Sequence, residues 1–415
     1  MAVADSSNRP NAKALGYTAG QKPGRIRCSD APMPPSFPLA VGGCYDPLQA
    51  HFPKPCIPKA YFKSLSLAPL SAALVLAALT SPLSATSAQA QERDEFSVCW
   101  SIYAGWMPWA YADVEGVVDK WADEYGISID VVQVNDYVES INQFTSGNVD
   151  GCAMTNMDVL TIPAASGVDS TALIINDYSN GNDGIVLKGS DDLADIEGRE
   201  VNLVQFSVSH YFLARALQSV GLTERDIETV NTSDADIVGL FSSDTTEAVA
   251  AWNPQLSAIA EMPDSNVVYT SAEIPGEILD MMVINTQTLA DNPALGHALV
   301  GAWYEVMDLI EADDENALSI MADAAGTDVE GYRNQLDATY LYTDPAEAIE
   351  LMESPELIET MERVAEFSFE HGLLGDMAPN AGVVGIETPS GIFGDESNVQ
   401  LRFDPSFTQA YLDAQ

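Results

Sequence analysis

From Glu95 onward, short apolar runs alternate with segments whose apolar residues recur every three or four positions. That alternation predicts strands separated by amphipathic helices, the βαβ signature of a parallel sheet. FSVCWSI, ISIDVVQV, VDGCAM and STALIIND read as four strands. After the first, Val114, Val117, Val118, Trp121 and Tyr125 fall at helical spacing. YVESINQFTSG reads as a helix closed by Gly147, and TNMDVLTIPAASG as one opened by a Thr/Asn cap. GIVLKG follows a loop rich in Asn, Asp and Gly. The pattern then restarts: REVNLVQ, IETVNT, EAVAAWN, NVVYT and LDMMVIN read as strands. SVSHYFLARALQSVG, SDADIVGLFSS and PQLSAIA read as the helices between them, the last with Pro in its first turn. From Asn292 to about Leu373 the pattern is almost wholly helical, and a looser tail follows.

Two consecutive α/β units with a helical C-terminal region predict two lobes around a cleft. In such sheets the loops at the carboxyl ends of strands gather the binding groups. The hinge crossings are expected near Lys188 and near Glu273–Leu279. Lobe 1 then spans 91–187 and 276–415 with the C-terminal helices, and lobe 2 spans 188–275.

The first ninety residues change the picture of the chain's start. Residues 1–58 are basic, Pro-rich and without periodicity, as expected of an unstructured leader from a misplaced start codon. Residues 59–90 carry Lys59 and Lys63, an apolar stretch from Leu65 to Leu83, and Ala88-Gln89-Ala90. That is the layout of a secretory signal peptide cut after Ala90. Pro69 and Pro82 interrupt the apolar stretch, which argues against a membrane anchor. In an exported chain Cys99 and Cys152 can be two buried thiols or a disulfide, and the sequence leaves both open.

Charge narrows the function classes. The 17 Lys and Arg against 62 Asp and Glu give a net charge of −45. Such a surface repels nucleic acid and anionic lipid, which bind through basic patches. Adaptation to a salty, charge-screening environment is the plainest reading of the excess. Neither Cys nor His shows metal-ligand spacing, and there is no P-loop, nucleophile elbow or dinucleotide-binding glycine motif. No cofactor and no catalysis are expected.

The strand-end loops are aromatic, amide and carboxylate, with almost no cation. Strand one leads into Tyr103, Gly105, Trp106 and Trp109, and strand two into Asn135, Asp136 and Tyr137. Strand three delivers Thr155, Asn156 and Asp158, and strand four Asn176, Asp177, Tyr178 and Asn180. The second unit offers Ser207, Ser209 and His210, then Trp252 and Asn253, and the return segment Glu273, Glu277 and Asp280. From these the candidate ligand-binding set is Trp106, Asp136, Asn156, Asp158, Asp177, Ser209, His210, Trp252, Asn253 and Glu277. Each has a plainer role open to it. Asp136 and Asp158 sit where a carboxylate complements a helix N-terminus, Asp177 suits a turn, and His210 suits a core.

GWMPW, INQFTSGNVDGCAMTNMDVLTIPAASGVD, SVSHYFLARALQSVGLTERDIE and EAVAAWNPQLSAIA, in this order, resemble solute-binding proteins of ABC importers in the nitrate–sulfonate–taurine class. VNDYVES, GCAMTNMDVL and DYSNGNDGIVLKG resemble the subgroup associated with urea carboxylase genes, linked to urea or guanidine uptake. The resemblance implies a two-lobed α/β periplasmic binding protein that hands a small nitrogen compound to an inner-membrane permease. Nitrate or a sulfonate would call for Lys or Arg in the loops, which lack them. Guanidinium is a planar cation with donors only, matched by carboxylates and an aromatic face, and is preferred here over urea. An exported enzyme of related fold, such as a pyrimidine-synthesising protein of thiamine metabolism, and a ligand-sensing domain are the rivals from other classes.

Overall fold

The computed structural model describes residues 93–243, 245–375 and 377–415. The leader and the signal peptide expected at 1–58 and 59–90 lie outside the described residues. No described helix is long and apolar enough to cross a membrane.

Among the described residues fourteen strands follow in chain order. They are β1 (Glu95–Trp100), β2 (Ser128–Gln133), β3 (Gly151–Thr155), β4 (Ser170–Ser179), β5 (Asp183–Lys188), β6 (Glu200–Leu203) and β7 (Glu228–Asn231). Then come β8 (Ala248–Trp252), β9 (Ser265–Thr270), β10 (Leu279–Asn285), β11 (Thr339–Leu341), β12 (Gly385–Thr388), β13 (Gly391–Phe393) and β14 (Val399–Phe403). One sheet runs β13-β12-β14-β4-β10-β3-β1-β2, with β11 on β4; the other runs β7-β6-β8-β5-β9. In the first, β1 pairs in parallel with β2 and β3, while the return strand β10 lies antiparallel between β3 and β4. Strands central to both sheets are apolar on both faces: Ile185, Val186 and Leu187 of β5 are fully buried, as are Met281 to Ile284 of β10. This is what helices packed on each face require.

Three differences from the sequence pattern have local causes. The helix carrying Val114 to Tyr125 is two helices, Met107–Val114 and Val117–Tyr125, because Gly116 adopts φ 68° between them. Val114 is thereby turned out, 68% exposed. The tail is not loose: β12, β13 and β14 extend the first sheet, and the helix Ser406–Ala414 ends the chain. β5, ahead of the crossing expected near Lys188, pairs with β8 and β9 of the second sheet, so the chain passes from one sheet to the other at 180–182. Periodicity says that a segment is a strand; pairing decides which sheet it joins. Cys99 and Cys152, opposite one another on β1 and β3, form a disulfide.

The lobes are closed on each other. Ala104 N–H donates to Asn253 O at 3.1 Å, and the Trp252 indole N–H donates to Ile102 O at 3.0 Å. Tyr137 N–H reaches Asp234 at 3.2 Å and the Ser233 hydroxyl reaches Asp136 at 2.8 Å. Val208 N–H donates to Asp158 at 3.3 Å.

Candidate ligand-binding cage

Between the lobes the strand ends converge on a small enclosed void. Its aromatic wall is Tyr103 and Trp106 after β1, Tyr137 after β2, and Trp252 at the end of β8. Gly105 and Pro108 break the chain's periodicity there, and a short 3-10 turn at Ala104–Trp106 folds Trp106 back against Tyr103. Neighbouring rings meet edge-on or tilted: 5.1 Å for Tyr103–Trp106, 5.6 Å for Trp106–Tyr137 and 5.5 Å for Tyr137–Trp252. All four side chains are buried. Thr155, Val208 and Ile278 close the gaps, and Asp183 and Asp280 supply the charge. The void is about 10 Å³, room for about one water-sized occupant.

Four carboxylates are buried in and around it: Asp158, Asp177, Asp183 and Asp280. Register puts two of them together, since Asp177 of β4 faces Asp280 of β10 directly. Like charges at such a cross-strand position repel. Tyr103 donates to Asp177 Oδ1 at 2.9 Å, but no neutral donor reaches Oδ2; two carboxyls can bond each other only through a shared proton. Asp183, opposite Trp252 on β5 and β8, accepts from the Ser179 hydroxyl at 2.6 Å. Asp158 Oδ2 accepts from Tyr137 at 2.7 Å and Thr155 at 2.9 Å, while its Oδ1 has no partner. Among the described residues no Lys, Arg or His forms an ion pair with any of the four.

Their acidities follow from burial without a paired charge of opposite sign. Burial pushes Asp158 up to about 6 against the pull of its three donors. Burial likewise raises Asp183 to about 6, with the charge of Asp158 adding to it. Asp177 and Asp280 are both raised, first by burial. Desolvating an unpaired carboxylate costs several kcal/mol, so this cluster resolves either by taking up protons or by taking up a cation.

The residues expected from the sequence divide. Trp106 and Trp252 form the wall, Asp177 meets Asp280, and Asp158 is bonded to the wall residues Tyr137 and Thr155. The rest bond elsewhere. Asp136 caps the helix Tyr137–Thr145 by accepting from Glu139 N–H at 2.9 Å. Asn156 pins the return segment, donating to Glu277 O and accepting from Leu279 N–H. Asn253 clasps Asn182 at 2.8 Å and accepts from Ser257. Glu277 is neutralised by a two-pronged Arg215 ion pair at 2.8 Å. His210 bonds Glu224, and Ser209 lies buried in the first turn of the helix Val208–Ser219 without lining the void. Asp183 and Asp280 are absent from the expected set, Asp280 although the return segment offers it and Asp183 because it falls in the Asn-, Asp- and Gly-rich loop before GIVLKG, where an acid suits a turn. The only signal at Asp183 is that β5 is buried on both faces, which makes any acid at its head a buried one.

This two-sheet topology is shared with solved structures. The fold is that of a periplasmic binding protein. The alkanesulfonate-binding protein SsuA from Xanthomonas axonopodis pv. citri, bound to MOPS, superposes with a TM-score of 0.58 at 16% identity, over 69% of this chain and 96% of that one. The aliphatic sulphonate binding protein SsuA from Escherichia coli gives 0.58 at 16% identity, over 74% of this chain and 97% of its own. The nitrate-binding protein NrtA from Synechocystis PCC 6803 gives 0.50 at 14%, over 78% and 98%. The family described as NMT1/THI5 like matches residues 119–317. No curated protein matches the chain in sequence.

Proposed function

We propose that the chain is the solute-binding component of an ABC importer. It would be exported by way of residues 59–90, close its lobes on a small nitrogen cation, and present that cation to an inner-membrane permease. Guanidinium is the ligand whose charge and donors best match the cage, which must widen to admit its four heavy atoms because the void has room for about one water. The observation that carries this reading is a set of buried carboxylates, Asp183 and Asp280 lining the aromatic-walled void with Asp158 and Asp177 beside them, none of them ion-paired among the described residues. A planar cation with donors on every edge satisfies several carboxylates at once, and the Trp and Tyr faces add up to about 2 kcal/mol once water is excluded. The sulfonate- and nitrate-binding proteins of like fold are named for anions, which this cage would repel.

Urea is the second reading, and one observation favours it: the Trp106 indole N–H is buried without an acceptor. Guanidinium has no acceptor to offer it, whereas the urea carbonyl does. Titration calorimetry of the full chain with guanidinium chloride, urea, taurine and nitrate separates these readings. Guanidinium binding that tightens as the carboxyls ionise is the expected result. Urea binding indifferent to pH would replace the ligand and keep the class, while tight taurine or nitrate binding would overturn the charge argument.

A further inference from the structure

Away from the cage, one carboxylate joins two histidines across the lobes. Glu224 follows the helix Val208–Ser219 of lobe 2 and bonds His210 of that helix through Oε1. Its Oε2 lies 2.5 Å from Nε2 of His371, which ends the helix Pro355–Glu370 packed on lobe 1. The rings assign their own protons by what surrounds them. Phe206 N–H donates to Nδ1 of His210 at 3.1 Å. That nitrogen is therefore bare, Nε2 carries the proton bonded to Glu224, and His210 is neutral. Nδ1 of His371 lies 2.8 Å from the Phe367 carbonyl, which only accepts. Both nitrogens of His371 thus donate, one to a carbonyl and one to a carboxylate, and the ring is an imidazolium. Phe206 is held at φ 62°, a costly conformation for an aromatic residue, and this aims its N–H at His210.

We propose that Glu224 and His371 form a pH-dependent latch between the lobes, with His210 as the residue that positions Glu224. The pair is closed while His371 is charged and lets go when it loses its proton. Lobe 2 presents Glu224 and neutral His210 to His371, and Glu370 of its own helix adds a second negative charge. Arg215, also in lobe 2, is held by Glu277 on the far side of Tyr211, whose ring meets Phe367 at 5.0 Å. The bond to Glu224 raises His371 above its ordinary value of 6.5, and the hydrogen bonds from the two histidines hold Glu224 below the ordinary carboxylate range against its burial. A raised histidine stabilises the closed form fully below its open-state value and loses that contribution as pH rises through the closed-state one. The latch therefore holds in acid and neutral solution and releases in alkali. The cage carboxyls also titrate, so the latch is read from a difference between variants.

Small-angle scattering of the ligand-free full chain between pH 6 and 9.5 reports the open-to-closed ratio. Nitrogen-15 histidine spectra report ring protonation, with the 4 histidines assigned by substitution. Over that range the wild-type ratio is expected to rise about three- to fivefold more than that of His371→Gln, the upper part of what a half-exposed pair contributes. Glu224→Gln should match His371→Gln, and His210→Gln should keep the wild-type pH response. At pH 7 His371 should show an imidazolium and His210 a neutral ring. A neutral His371 at that pH, or a pH response in His371→Gln equal to the wild type's, overturns the latch. The scattering is done without ligand, so its outcome does not depend on which solute the cage takes.

Discussion

Asp183→Asn removes one buried charge from the cage while keeping its shape. Asp183 has a folded-state value of about 6 against 3.8 in an open chain. Its folded pKa is raised, so the stability it contributes is complete below 3.8 and is lost as pH rises through about 6. The difference of 2.2 corresponds to about 3 kcal/mol at neutral pH, a cost carried by the empty protein. Asparagine keeps an oxygen for the Ser179 hydroxyl and carries no charge. Ligand-free Asp183→Asn is therefore expected to melt roughly 6 °C higher than wild type at pH 7.5, a difference that shrinks to about a third at pH 4.5, where most of the linkage is already gone. The same change takes a carboxylate from the cation. Breaking one partner of a buried charge pair costs about 2–5 kcal/mol, so guanidinium affinity should fall at least about thirtyfold. Thermal melts at both pH values and calorimetry of the same samples give the two halves. A variant that is less stable when empty at pH 7.5, or that binds guanidinium like wild type, refutes the claim that Asp183 is an uncompensated charge awaiting a cation.

Guanidinium binding should weaken as pH falls through about 6, where Asp158 and Asp183 take up protons; at pH 7 calorimetry in buffers of different ionisation enthalpy should detect protons released by the raised Asp177–Asp280 pair, and a proton count of zero would argue against their sharing one. At Gly105 a Cβ would stand 2.2 Å from Asp177 Oδ2 and 2.7 Å from the Tyr103 ring, so Gly105→Ala should cost about 1–3 kcal/mol in a denaturant melt and abolish ligand binding; a variant with wild-type affinity would show that Asp177 has room to move.

Much of the fold was legible because it is written in local periodicity. LDMMVIN is a nearly continuous apolar run, as a central strand covered on both faces must be, whereas ISIDVVQV alternates and forms the edge strand β2. Capped helices, including the one opened at Asp136, announce themselves through residues that satisfy free backbone N–H groups. The same legibility gathered residues of two kinds into the candidate site. Asp136, Asn156 and Glu277 are polar residues at strand ends and hold that position structurally, as a cap, a pin and an ion-pair partner. Residue type and spacing could name polar groups at the right end of the sheet but could not say which were already hydrogen-bonded within the protein.

By itself the sequence determined the alternation of strands and helices, the acidic surface, and the aromatic break from Tyr103 to Trp109 at a strand end. These depend on residue type and spacing within a few positions. Only the tertiary structure decided that β5 belongs to the second sheet, that Cys99 bonds Cys152, and that Asp177 faces Asp280. It likewise decided that Arg215 removes Glu277 from play and that His371 meets Glu224 across 147 positions of chain. Such pairings join segments far apart in sequence, and their energies come from register, burial and the absence of a neighbouring cation. A single residue's identity carries none of those quantities. The charge of the cage is therefore a property of the closed fold, although every acid in it can be read from the chain.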